Sequence, residues 1–272
     1  MVAASGKMQP MSRHQRLNAI LTLLTERGQL SVEDTVQRLN VSAATVRRDF
    51  DHLAQQQLLT RTHGGAVSTA TYDLPLRYKI ARQADAKLRI AHAAAAMVPL
   101  GSTVALNGGT TTGEVARAIA NRSDLATSEG SPGLTVVTNA LNIATELAVR
   151  RQVKIVVVGG VARPQSYELI GPLGDSILNQ INADLAFIGV DAVDYARGAM
   201  AHHEGEASVN RHMAARAERV VVVADSSKVG GHAFALICPP DKFNVLLTDR
   251  DPGEDIRAHF ADVGVDVVIA GE

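Results

Sequence analysis

The stretch Val41-Ser42-Ala43-Ala44-Thr45-Val46-Arg47-Arg48-Asp49-Phe50-Asp51-His52-Leu53 constrains this chain more than any other. Ser42 opens it as an N-cap, its hydroxyl accepting from the orphan backbone N–H groups of the next turn. Val46, Phe50 and Leu53 recur at helical spacing, so one stripe of the helix must be buried. Ser42, Ala44, Thr45, Arg47 and Arg48 are left on the other faces. Small residues in the first turn permit close approach to a surface, and two adjacent arginines follow. Such a helix suits entry into a DNA major groove by its N-terminal end, with arginines reaching phosphates or guanine edges.

The flanking residues complete a module. Ser12 is placed to cap a first helix in which Leu17, Ile20, Leu21 and Leu24 fall on one face, and Gly28 suits its C-terminal stop. Ser31-Val32-Glu33-Asp34 resembles a capping box and starts a second helix with Val32, Val36 and Leu39 as its buried stripe. A tight turn at Asn40-Val41 then makes residues about 30–49 a helix-turn-helix. Downstream, Gly64-Gly65 in Leu58–Val67 suits the turn of a β-hairpin, which makes residues 12–67 a winged helix-turn-helix. Arg61, Thr62 and His63 lie where a wing touches phosphates or the minor groove. A three-helix bundle with its arginines in water is the plain alternative. Agreement of caps, register, turn length and hairpin favours double-stranded operator DNA as a partner.

Composition narrows the rest. Of 272 residues, 46% are hydrophobic and 20% charged, as in a soluble globular protein. Residues 1–66 hold eight Lys and Arg against five Asp and Glu, while the remainder holds nineteen against twenty-three. A basic head on an acidic body fits a DNA-binding module joined to something else. Cys238, the single cysteine, excludes an intramolecular disulfide framework and most cysteine-based metal sites. The N-terminus lacks a signal-type apolar core and no apolar run reaches membrane-spanning length, so a cytoplasmic protein without a membrane partner is expected. Residues 1–11, small and polar, are expected to be disordered.

Residues 68–83 show no long periodicity and read as a linker. From 84 to 272 helices alternate with short β-branched runs at 103–106, 134–137, 154–158, 184–188, 220–224, 245–248 and 265–269. Continuous apolar strands bounded by helices imply an α/β domain with a largely parallel, Rossmann-like sheet covered on both faces. Ligands of such sheets bind beyond the strand carboxyl ends. There stand Asn107 and Gly109-Thr110-Thr111-Thr112, then Thr138-Asn139, Gly159-Gly160, Asp191 and Lys228. The glycine–threonine loop before a helix reads equally as a phosphate cradle or as an ordinary capped turn. Lys228 is suited to neutralise a phosphate, and Asp191, Asn107 and Asn139 to take sugar hydroxyls. His202, His203, Glu204 and Glu206 are residue types that bind metals, but charges at a helix entrance are commoner, and no metal is expected. Neither GxxxxGK[ST] nor GxGxxG occurs, so nucleotide and dinucleotide readings fail.

These motifs together resemble the DeoR family of bacterial sugar-metabolism regulators over nearly the whole chain. At the DNA end the resemblance rests on Val41-Ser42-x-x-Thr45-Val46-Arg47-Arg48-Asp49 and Arg61-Thr62-His63-Gly64-Gly65-Ala66. At the other end it rests on Asp85-x-Lys87, Gly109–Thr112, Val137-Thr138-Asn139, Gly159-Gly160 and Ala224-Asp225-Ser226-Ser227-Lys228. Ser166–Gly171 and Phe187–Asp194 look most like regulators of N-acetylgalactosamine and related amino-sugar operons. The resemblance implies a homodimer or homotetramer that represses an operon until a phosphorylated sugar binds residues 84–272, with Glu204 among the effector residues and no cofactor. It further implies a sensor fold related to ribose-5-phosphate isomerase. Ala192 stands where that enzyme's turn carries a glutamate, which favours binding without turnover over the alternative of a sugar-phosphate isomerase with an accessory DNA-binding head. Asn107 stands where many members have Asp.

Overall fold

The computed structural model describes residues 11–56, 58–68, 74–80, 82–125 and 132–271. It divides into one unit ending at Leu74 and a second beginning at Pro75. The expectation of disorder at 1–11 lies, apart from Met11, outside the described residues, as does the linker stretch 69–73.

The first unit contains helices α1 (Arg13–Arg27), α2 (Val32–Leu39) and α3 (Ala43–Gln55), with strands β1 (Gln29–Ser31), β2 (Thr60–Thr62) and β3 (Gly65–Val67). Ser12 and Gln15 form a reciprocal capping box on α1, and Gly28 closes that helix at φ 73°. Ser31 caps α2 through the Asp34 amide at 3.0 Å. The stripe expected on α2 is corrected: Val32 and Thr35 are buried, whereas Val36 and Leu39 are half-buried. Thr35 tolerates burial because its hydroxyl donates to the Ser31 carbonyl at 2.7 Å.

The wing is a three-stranded antiparallel sheet in the order β1-β3-β2. Its turn is His63-Gly64, and Gly65 is already in β3. Gly65 serves another need, because a Cβ there would sit 2.0 Å from the Leu30 carbonyl oxygen. Gly65→Ala must therefore push β3 off β1, at an expected cost of about 1–3 kcal/mol. Hydrogen exchange of α3 amides in the full-length variant checks this; unchanged protection would contradict it.

The second unit begins inside the expected linker, which is corrected at that end. Leu76–Lys79 forms a short helix, α4, with Leu76 and Tyr78 buried, and the Leu76 amide donates to Gln165 at 2.7 Å. Aperiodic sequence concealed it, since one turn is too short to show a repeat. Then follow α5 (Ala84–Ala96), β4 (Thr103–Leu106), α6 (Thr110–Ala120), β5 (Leu134–Thr138), α7 (Leu141–Leu147) and β6 (Val153–Val157). A hairpin of β7 (Val161–Ala162) and β8 (Leu169–Ile170) precedes α8 (Asp175–Leu178) and β9 (Ala183–Gly189). The remainder is β10 (Ala192–Asp194), β11 (Gly198–Ala201), α9 (Glu204–Ala215), β12 (Ala217–Val223), β13 (Ala235–Cys238), β14 (Val245–Thr248), α10 (Glu254–Asp262) and β15 (Asp266–Ile269).

A seven-stranded sheet runs β15-β14-β12-β9-β4-β5-β6, every neighbouring pair parallel. Alternate residues feed two cores. Val104, Leu106, Phe187 and Val221 pack with α5, α6 and α7, while Ala105, Ala186, Ile188 and Val222 pack with α9 and α10. Burial on both faces explains why these strands read as unbroken apolar runs. The chain starts at β4, moves outward through β5 and β6, then returns to β9 on the other side of β4. The carboxyl ends of β4 and β9 thus flank the switch point, where open α/β sheets gather ligands.

Candidate functional site

In the first unit, α3 presents the expected face. Val46, Phe50 and Leu53 are fully buried, while Ser42, Ala44, Arg47 and Arg48 are exposed and Thr45 is half-exposed. The Ser42 hydroxyl accepts from the Thr45 amide at 3.2 Å and lies 2.9 Å from the Thr45 hydroxyl. Asp49, absent from the expected site, is buried and pairs with Arg16 of α1, whose guanidinium pKa is raised chiefly by that hydrogen bond. The pair pins the helix to its neighbour and so fixes where Arg47 and Arg48 point. Among the described residues neither arginine is engaged by another side chain.

The wing residues divide. Thr62 and His63 are exposed at the hairpin tip. Arg61 instead turns to the protein, pairing with Asp51 at 3.0 Å and donating to the Gly65 carbonyl at 3.1 Å. Its guanidinium also lies 5.5 Å from the Phe50 ring centre. Arg61 therefore ties the wing to α3.

In the second unit the crevice is bounded by loops after four adjacent strands, β12, β9, β4 and β5. Gly109 has φ 142°, a conformation favouring glycine, and leads into α6. Thr111 and Thr112 are buried, and neither hydroxyl has a hydrogen-bond partner among the described residues. Such orphans cost about 1–3 kcal/mol each unless a ligand or water meets them. Thr110 is half-exposed.

Asn107 does something other than expected. Its amide accepts from the Gly189 N–H at 2.7 Å and donates to the Gly189 carbonyl at 2.9 Å. It thereby staples β4 to β9 across the switch point, a task the reversed donor and acceptor of an amide perform and an ionised carboxylate does not. Thr138 likewise serves the backbone, its hydroxyl accepting from the Ala140 amide at 3.1 Å. Of Gly159-Gly160, it is Gly160 that makes room for the β7–β8 hairpin: a Cβ there would lie 2.7 Å from the Ile170 carbonyl oxygen.

Two lysines, Lys79 and Lys228, act on Asp191, and a third, Lys87, acts on Lys228. Lys228 donates to the Val190 carbonyl at 2.5 Å, and Lys79 of α4 lies 3.7 Å from Asp191. Burial lowers the Lys228 pKa against the raising effect of Asp191 and Asp225. Burial presses the Asp191 carboxyl upward, yet Lys79, Lys228 and His202 hold it below its ordinary value. Lys87 of α5 is buried and donates to the carbonyls of Lys79, at 2.9 Å, and Arg82. Its pKa falls to about 8, first through burial and then through Lys228. Lys79 and Lys87 were outside the expected site. Lys87 belonged to a recognised motif without a role, and Lys79 carries no sequence signal.

A second polar group borders this wall. Glu168, just before β8, is buried and accepts from Asn139 at 2.9 Å. Burial and the Glu206 carboxylate push its pKa up to about 8. Glu206 pairs with Arg163 at 2.9 Å inside the protein. Glu204, the expected member, is exposed on the first turn of α9, so the inward acid is Glu206 two residues on.

Comparison with known proteins agrees with this division. Residues 16–71 match the DeoR-like helix-turn-helix domain and residues 82–250 the DeoR C terminal sensor domain. A protein of Escherichia coli O157:H7 named for repression of the aga operon is 31% identical over 273 residues, covering 99% of this chain and 98% of that one. The glycerol-3-phosphate regulon repressor of Escherichia coli K12 is 31% identical, covering 93% of this chain and 97% of the relative. Ribose 5-phosphate isomerase A from Methanocaldococcus jannaschii aligns with a TM-score of 0.40 and 21% identity, over 54% of this chain and 55% of its own. The full-length relatives are repressors, so the isomerase alternative has no support among them. A helix-turn-helix head and a sensor domain, matched in order along the chain, make this protein a member of the DeoR family of DNA-binding transcriptional regulators.

Proposed function

We propose that this protein represses a carbohydrate-catabolism operon and is released from it by a phosphorylated sugar. Operator contact falls to Ser42, Ala44, Thr45, Arg47 and Arg48 on α3, with Thr62 and His63 from the wing, and Arg61 holds that wing in place. One such module reads only a few base pairs, so a homodimer or homotetramer presents two to the half-sites.

The observation that carries the effector reading is that two buried threonine hydroxyls have no partner among the described residues, Thr112 lying against Gly189 at the end of the strand whose next carbonyl, that of Val190, Lys228 holds. Gly109–Thr112 at the start of α6 offers backbone N–H groups to a dianion. A phosphate is a stronger partner for Lys228 and Lys87 than the neutral carbonyls they now hold. Binding therefore redraws the bonds on the carbonyls of Val190, Lys79 and Arg82. That gives the ligand unequal affinity for two states, the requirement for coupling it to DNA.

Fluorescence anisotropy on DNA from the protein's own upstream region tests the reading. One or a few sugar phosphates should displace the operator, and the unphosphorylated sugars should not. Retention of DNA against a full panel of pentose, hexose and amino-sugar phosphates would overturn it.

A further inference from the structure

The phosphate wall leaves a second polar group without a task. Glu168 lies directly over the start of the glycine–threonine loop: a Cβ on Gly108 would be 2.2 Å from its Cγ and 2.6 Å from its Oε1. Glycine at 108 is what lets the carboxyl occupy that position. Asn139 donates to it from the end of β5, and Asn210 hydrogen-bonds it from α9. Both amides leave a buried carbonyl oxygen, Oδ1, with no partner among the described residues. Buried unsatisfied acceptors beside a buried acid are costly in a purely structural cluster. A ligand carrying hydroxyl groups satisfies them, since each hydroxyl both donates and accepts.

We propose that Glu168 is a specificity-determining residue that, with Asn139 and Asn210, reads the hydroxyl-bearing end of the effector while the threonine–lysine wall reads its phosphate. The inference rests on the phosphate-ester reading above and assigns the other half of the ligand. The groups acting on Glu168 are the carboxylates of Glu206, itself paired with Arg163, and Asp191, with the amides of Asn139 and Asn210. Two carboxylates and a dry setting favour the neutral acid near pH 7, so Glu168 donates to a ligand oxygen. This donor is lost as the pH rises through about 8.

Calorimetry on the full-length protein separates the two halves, using inorganic phosphate and the tightest binder from a panel of pentose and hexose phosphates. Glu168→Ala should weaken the sugar phosphate about tenfold or more, as for a lost buried hydrogen bond, and leave inorganic phosphate within about twofold. Glu168→Gln, shaped like the neutral acid, should retain sugar-phosphate binding near pH 7. Between pH 7 and 9 the wild type should lose affinity relative to Glu168→Gln. The ligand phosphate and Lys87 titrate in both proteins and cancel in that ratio. Equal losses for both probes, an unaffected sugar phosphate, or a wild-type-to-Gln ratio flat in pH would each overturn the proposal. Failure of the wild type to bind either probe overturns the phosphate-ester reading itself, a recognisably different failure.

Discussion

Operator affinity should fall at least about thirtyfold when Arg47 and Arg48 are both replaced by alanine. Each arginine contact to a base edge is worth about 1–3 kcal/mol, so two exceed about 2 kcal/mol. A two-fold operator meets two copies of α3, which enlarges the loss further. The fold should survive, because both side chains are exposed while Val46, Asp49, Phe50 and Leu53 hold the helix from its other face. If both arginines contact phosphates instead, the loss is spread evenly over operator variants, and the slope of log affinity against log salt becomes shallower by about two per copy. Gel-shift titrations at several salt concentrations distinguish the two cases. Unchanged affinity with an intact circular-dichroism spectrum would remove α3 from the DNA interface.

The DNA-reading unit was almost wholly legible because its signals are local. Caps, an apolar stripe and a two-residue hairpin turn all act within a few residues of where they are written. What local signals do not carry there depends on partners ten or more residues away. Arg61 reads as a free cation until Asp51 and Phe50 stand beside it, and Asp49 acquires its role only from Arg16, thirty-three residues away. The seven sheet strands were equally visible, since burial on both faces writes them as apolar runs. Their order was not, because pairing is set by crossovers and leaves no local trace. The antiparallel set β10-β11-β13 went unseen for a related reason: its strands have only three or four residues.

The crevice shows the same division in a sharper form. Loops at strand ends can be found by counting strands, which led to the threonines and to Lys228. Which polar group faces a ligand and which serves the backbone depends on hydrogen bonds across the sheet. Asn107 and Asn139 are the same residue type at equivalent strand ends. The first spends both ends of its amide on Gly189, whereas the second keeps beside Glu168 an oxygen with no partner among the described residues. Nothing in their neighbouring residues distinguishes them.

Lys228→Ala should produce a repressor that holds its operator and no longer hears the sugar phosphate. Lys228 sits after β12 with its ammonium 2.5 Å from the Val190 carbonyl, on the strand end that Asn107 grips from β4. A charge-assisted contact to phosphate is worth about 1.5–3 kcal/mol, so effector affinity should drop roughly ten- to a hundredfold. The substitution also leaves the carbonyl of buried Val190 without its ammonium, an expected stability cost of about 1–3 kcal/mol, so the variant's fold is checked by circular dichroism. Operator affinity without effector should barely change, because Lys228 belongs to the second unit and not to α3 or the wing. Coupling between the two ligands is reciprocal and typically about 1–3 kcal/mol, so operator DNA should weaken effector binding by the factor that effector weakens DNA binding. In the variant that reciprocal factor should also shrink, since the Lys228–Val190 bond is one of those that the phosphate redraws. The decisive experiment is an operator-binding titration with the displacing sugar phosphate, wild type against Lys228→Ala. Release at the same effector concentration in both would put the phosphate elsewhere than beside Thr110, Thr111 and Lys228.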